Sequence, residues 1–270
     1  MRAGFLQFSP KRGDISANLD LITGRLEEVK ADLIVLPELC LSGYLFASRA
    51  ELCQNAIMVP QSSEIVELTR LCQQRRFNLV LGIAEAEDKS PDSKFYITAL
   101  LITTGGTIHK YRKAHLFGNE KNLFTAGNDP FPVFNVDGVK IGLLVCFDYF
   151  FPEAARTLAL RGAQIICHPA NLILHYAQSI TITRAVENRV YWILSSRTGE
   201  EQIGSQHLRF TGTSQIVAPD GRVLFRASPD QQELAIVDID PNRALDKQVT
   251  AHNNVLLDRR TDLYRLGPDS

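Results

Sequence analysis

The chain has 270 residues, 45% of them hydrophobic, with 29 Lys and Arg against 30 Asp and Glu and a formal net charge of -1. That is enough apolar material for one large core, and a balanced surface without like-charge runs excludes an electrostatic footprint for nucleic acid or an anionic membrane. The opening "MRAGFLQFSPKRGD" matches neither a signal peptide nor a membrane span, and five cysteines without a C-x-x-C spacing argue against a disulfide framework or a zinc site, so a cytoplasmic protein with free thiols is expected.

In chain order, "RAGFLQF" (residues 2–8) reads as a strand, 18–30 as a helix, and "DLIVLPE" (32–38) as a buried strand running into Pro37-Glu38. A helix over 63–75 leads into the strand "FNLVLGIAEA", and "KFYITALLITTGGTIHKY" reads as a hairpin turned at Gly105-Gly106. "FPVFNVDGVKIGLLVC" carries the hairpin signal Asp137-Gly138, its second strand ending at Cys146, and Pro152-Glu153 mark the start of a helix. "AQIICHPA" then reads as a strand, "HYAQSITITRAVENRV" as a helix, "YWILSSR" as a strand, "TSQIVAPDGRVLFRA" as a hairpin around Pro219-Asp220-Gly221, and "ELAIVDID" as the closing strand. No linker, low-complexity segment or short repeat interrupts the series. Hairpins among βα units predict mixed sheets with helices on their outer faces, a layered α/β fold. Residues 1–240 are expected to form the body. Residues 241–270, rich in Arg, Asp and Asn but carrying leucines and Tyr264, are expected to form a tail that packs on another surface, such as a second subunit.

Three residues stand out for chemistry. Cys146 closes an apolar strand just before a helix start, where nearby amides and the helix dipole would stabilise a thiolate or an oxyanion; the alternative is a buried thiol serving as a small hydrophobe. Glu38 ends another apolar strand, where desolvation would raise its pKa into the range of a general base, unless the side chain faces solvent. Lys113, in the basic stretch "TIHKYRKAHLF", reads either as a surface charge or as an ammonium that favours the thiolate of Cys146 and holds an oxyanion. Six histidines are present, but none lies in a thiol-protease signature, and neither H-E-x-x-H nor paired cysteines mark a metal site.

Glu38 in "LPELCLSGY", Lys113 in "YRKAHLF" and Cys146 in "GLLVCFDYFFPE" follow in that order, 75 and then 33 residues apart. In these motifs the chain resembles the nitrilase superfamily of carbon-nitrogen hydrolases, nearly end to end from Phe5 to "DRRTDLY", and is similar to small nitrilase- or amidase-like members of thermophilic archaea. The resemblance implies a four-layer α-β-β-α sandwich, usually a homodimer packed helix to helix, with no metal and no cofactor. It implies Glu38 as general base, Lys113 as oxyanion stabiliser and Cys146 as nucleophile. Glu120 in "GNEKNLFTAG" matches a second glutamate that positions the lysine and substrate, and the Phe147 amide a second oxyanion donor. Asn171 in "HPANL" matches a pocket-lining position, and Tyr44 a tyrosine at the pocket wall. Where many members read Asn-Arg-x-Gly, this chain reads "SSRTG", with Ser196 in the Asn place.

The activity so implied is cleavage of a non-peptide carbon-nitrogen bond in a small amide through a Cys thioester, releasing ammonia and a carboxylic acid. A nitrile or an N-carbamoyl amine reaches a similar intermediate, so both remain alternatives. "CFD", with Phe147 after the cysteine, resembles the amidase and carbamoylase branches more than the Trp-Glu that follows the cysteine of dedicated nitrilases. A non-enzymatic scaffold of the same fold is the remaining alternative.

Overall fold

The structure is a computed structural model and describes residues 1–264. β1 (Arg2–Gln7) leads to α1 (Ile15–Leu26), whose first turn is capped by the Asp14 carboxylate accepting from Ala17 N at 3.1 Å. β2 (Leu33–Val35) and α2 (Arg49–Asn55) precede α3 (Ser63–Arg75), which buries Ile65, Leu68, Leu71 and Cys72 along one stripe. β3 (Asn78–Ala86), β4 (Phe95–Ile102) and β5 (Ile108–Arg112) form a meander that ends in the one-turn α4 (Glu120–Leu123). β6 (Val133–Val136) and β7 (Val139–Leu143) meet at Asp137 and Gly138, both left-handed (φ 52° and 84°), as a two-residue type I′ turn requires. A 3-10 turn at Cys146–Phe150 opens into α5 (Pro152–Leu160), then β8 (Ile165–Ala170), α6 (Ala177–Asn188) and β9 (Tyr191–Ser196). Two hairpins follow, β10 (Glu200–Ile203) with β11 (Gln206–Arg209) and β12 (Gln215–Val217) with β13 (Val223–Arg226). β14 (Glu233–Asp238) and a short tail pair, β15 (Gln248–Thr250) and β16 (Asn253–Asn254), complete the chain.

Two six-stranded sheets result, ordered β14-β1-β2-β3-β4-β5 and β13-β12-β9-β8-β7-β6. Each has three parallel strands at its centre, β1-β2-β3 and β7-β8-β9, with antiparallel strands outside them. Phe5, Val35, Val80 and Ile97 of the first sheet share one core with Trp192, Ile193 and Ile216 of the second. The opposite face of the first sheet buries Leu6, Ile34, Leu79 and Leu81 against Leu19, Ile22 and Leu26 of α1 and Ile65 and Leu68 of α3. α5 and α6 cover the second sheet, giving the four-layer α-β-β-α sandwich that the sequence resemblance implies.

Three local differences from the sequence reading have plain causes. α1 begins and ends earlier than 18–30, because Asp14 caps it and the chain turns off after Leu26, with Val29 N donating to Leu26 O. β7 stops at Leu143 and not at Cys146: the buried Asp148 carboxylate takes the Val145 N–H at 3.0 Å and winds the next residues into the 3-10 turn. α2, α4 and the β10-β11 hairpin, which carry no strong periodic signal, are additional elements. The start of the tail packs on its own body, while Val249, Leu257, Leu263 and Tyr264 further on are exposed. Pro241 and Ala244 are buried, and the Lys247 ammonium donates to the Asn188 and Arg189 carbonyls (3.0 and 2.8 Å) at the end of α6. Residues 265–270 of the expected tail lie outside the described residues.

Candidate active site

The site lies at the carboxyl ends of the central parallel strands, where ligands gather in open α/β sheets. Glu38 leaves the end of β2 in a turn held on β3 by Leu36 N to Val80 O (2.7 Å), Gly82 N to Pro37 O (3.1 Å) and Cys40 N to Gly82 O (3.0 Å). Gly82 is required there, because a Cβ would stand 2.5 Å from the Glu38 Cα. Lys113 follows β5, its N–H donating to Ile97 O at 2.8 Å. Glu120 opens α4, and its Oε2 accepts from Phe117 N at 2.8 Å.

The three side chains meet. Lys113 Nζ donates to Glu38 Oε1 (2.8 Å) and to both oxygens of Glu120 (2.8 and 2.7 Å), with the lysine side chain 0% exposed. Tyr44 OH donates to Glu120 Oε1 at 2.8 Å. Burial alone would drive the Lys113 pKa down, but the carboxylates of Glu120 and Glu38 override it and hold the ammonium well above its ordinary value. Burial pushes Glu38 up to about 7 against the opposing pull of Lys113. Glu38 thus stands poised near neutrality, with its Oε2 buried and unpartnered.

Cys146 completes the group. It is buried, and burial followed by the Glu38 charge pushes its thiol pKa well up. The resting sulfur is therefore a thiol, and a base must take its proton before it can attack. Its backbone is left-handed (φ 41°), as is that of Leu39 beside Glu38 (φ 51°); such strain in non-glycine residues concentrates at functional sites. Phe147 is second in the 3-10 turn, so its N–H is among the initial amides that have no partner within the helix. All seven residues singled out in the sequence, Glu38, Tyr44, Lys113, Glu120, Cys146, Phe147 and Asn171, converge on this one region.

The surrounding support is less visible in the sequence. Asp148 accepts from Tyr111 OH (2.9 Å), His115 N (3.1 Å) and Val145 N (3.0 Å), tying the Cys146 turn to the Lys113 strand of the opposite sheet. His168 Nε2 donates to Cys146 O at 2.8 Å. The tautomer is set by Trp192, whose Nε1–H can only donate and reaches His168 Nδ1 at 3.1 Å. His168 is thus committed to the backbone and is no thiol-protease partner, and burial holds its pKa down at about 4. Glu201, on the unexpected β10, accepts from Tyr44 N and Leu45 N (3.0 and 2.7 Å) and is paired to the buried Arg197, which stacks on Phe210. Ser196 takes the Leu172 N–H at 3.3 Å and bonds Ser214, so it fixes the strand end beside Asn171. The signals for these residues are faint: polar side chains at the ends of apolar runs, with partners set only by the fold.

A buried cysteine beside a glutamate-lysine-glutamate chain, between two facing sheets, is the equipment of a cysteine-nucleophile hydrolase. Whole-chain comparison agrees. The profile of the carbon-nitrogen hydrolases matches residues 2–246, and the chain belongs to that family. It is 36% identical to a nitrilase of Pyrococcus abyssi, covering 98% of this chain and 99% of that protein. It is 32% identical to an (R)-stereoselective amidase of a Pseudomonas species, covering 90% and 87%. Among solved structures, an amidase variant from a Nesterenkonia species, bearing the acetamide moiety of fluoroacetamide on its active-site cysteine, superposes with a TM-score of 0.76 at 29% identity, covering 97% of this chain and 95% of that one.

Proposed function

We propose that the protein hydrolyses a short amide, with Glu38 taking the Cys146 proton, the sulfur attacking the carbonyl carbon, and Lys113 with the Phe147 amide holding the oxyanion. The C–N bond then breaks as Glu38 returns the proton to the departing ammonia, leaving a thioester on Cys146. Glu38 next activates water, and hydrolysis of the thioester frees the carboxylic acid. Glu120 keeps the Lys113 ammonium charged and aimed, and Tyr44 steadies Glu120. The observation that carries this reading is the Lys113 ammonium, fully buried between two carboxylates and beside a thiol that needs a base.

A nitrile is the second reading, favoured by the relative named a nitrilase. Ammonia release from a primary amide, an N-carbamoyl amine and a nitrile of one short carbon skeleton tests both, with Cys146→Ala as control. Turnover of the amide alone supports the first reading. Turnover of the nitrile alone replaces it, and an active Cys146→Ala removes the thioester. A cytoplasmic location fits the five free thiols, since disulfides are rare in reducing compartments. A homodimer through the α5-α6 face fits the exposed Phe150, Leu160 and Val186 there.

A further inference from the structure

The cleft at Cys146 continues past Phe117 and Ile173, which line both its inner and outer parts, toward Leu45, Phe46 and Phe124. Its walls are mostly apolar. Apart from Glu38 and Lys113, which the mechanism directs at the reacting amide, no Lys, Arg or Asp lines it among the described residues, and its lining carboxylate, Glu120, is already committed to Lys113, Tyr44 and Phe117 N. A substrate with a charged acyl group would find no free counter-charge there, so its desolvation would go uncompensated.

Against that apolar lining, two polar side chains beside Cys146 are buried with nothing to bond. Tyr149 OH has no partner, and neither the donor nor the acceptor of the Asn171 carboxamide has one. Tyr149 is 1% exposed and Asn171 4% exposed, and both line the inner cleft. Buried polar atoms almost always find partners, so three orphans in one small cavity call for an explanation. Loose packing does not supply one. The residue after Asn171 is pinned at both ends, Leu172 N donating to Ser196 Oγ (3.3 Å) and Leu172 O accepting from Thr211 N (2.8 Å). The Tyr149 ring lies against His168, and its carbonyl accepts from Arg184 Nε at 3.1 Å. Both residues line the inner cleft, and the segments that carry them are held by these other contacts.

We infer that Tyr149 OH and the Asn171 carboxamide form a polar subsite that selects short, uncharged amides whose acyl group carries a hydroxyl or a second carboxamide. This rests on the amidase reading. A hydroxyl can donate to Asn171 Oδ1 and accept from Tyr149 OH or Asn171 Nδ2, and a carboxamide can satisfy all three. A site built to hydrogen-bond a substrate group discriminates strongly against an analogue lacking it, because its own buried polar atoms are then left bare.

The test compares kcat/KM for lactamide against propionamide and for malonamide against isovaleramide, pairs that differ in hydrogen-bonding groups at similar size. The wild-type protein is expected to prefer the polar member of at least one pair by roughly tenfold or more. Tyr149→Phe, which removes one orphan oxygen and keeps the ring, should bring that ratio down toward one. Asn171→Leu should do the same and serves as the second variant. Propionamide turnover with no polar preference overturns the subsite and leaves the amidase reading standing, as does a preference that both variants retain. Failure to turn over any of the four amides overturns the amidase reading and this inference with it.

Discussion

Lys113 is the residue on which the site balances. A buried ammonium is costly to desolvate, and here two carboxylates within 2.8 Å offset that cost. In the proposed mechanism its ammonium is the cationic oxyanion donor, so Lys113→Ala should lower kcat by about a hundredfold or more, as loss of one oxyanion donor does elsewhere. Steady-state ammonia release measures this, and a near-normal kcat would remove Lys113 from the mechanism. Glu38, raised to about 7 by burial, must be ionised to act as base. The acid limb of kcat/KM should therefore turn over near pH 7 and not near pH 4.5. The same shift acts on stability with a definite sign. Because the folded state raises the Glu38 pKa from 4.5, its protonated form favours folding, an advantage present below about pH 4.5 and lost as pH rises through about 7. Denaturant titrations across that window should show this loss in the wild-type protein and a flatter profile in Glu38→Gln.

Among the elements, the turn after β7 matters most, since it holds Cys146 in a left-handed conformation that only its surroundings maintain. His168, aligned by Trp192, grips the Cys146 carbonyl from β8. His168→Leu should lower kcat by about tenfold to a hundredfold with KM little changed, a cost typical of small displacements of a reacting group. His168→Gln, which restores a donor, should recover part of it, and equal losses in both variants would show that the histidine merely fills space. Gly82→Ala on β3 should destabilise the fold by roughly 1–3 kcal/mol in thermal unfolding, since its Cβ collides with Glu38. The elements were unequally legible in the sequence. α3 reads over 63–75 as found, since its buried stripe recurs at helical spacing, and the Asp137-Gly138 turn announces its hairpin through residues that tolerate positive φ. α4 and the β10-β11 hairpin are short and polar, held by ion pairs such as Arg197–Glu201 that no periodicity foretells. Of the site, Glu38 and Cys146 are legible because each ends an apolar run. Lys113, Tyr44 and Glu120 acquire meaning from family resemblance and from a fold that brings residues 75 positions apart within one hydrogen bond. Asp148, His168 and Tyr149 show their parts only in three dimensions.

At the scale of the whole molecule, the site belongs to neither sheet alone. The first contributes Glu38 and Lys113 and the second Cys146 and Asn171, with Asp148 bridging them through Tyr111. Activity should therefore be lost together with tertiary structure, in one step with the main unfolding transition. If the α5-α6 face pairs with a second copy, light scattering should report twice the 30.1 kDa of the chain, and a particle of single-chain mass would contradict the dimer. The central claim is that Cys146 is the nucleophile, and titration with iodoacetamide followed by peptide mass spectrometry tests it most directly. The expected result is a single acetamide moiety on Cys146, with amide hydrolysis lost in proportion to labelling. Full labelling of Cys146 with activity retained, or labelling of the half-buried Cys53 while Cys146 stays inert, would contradict it.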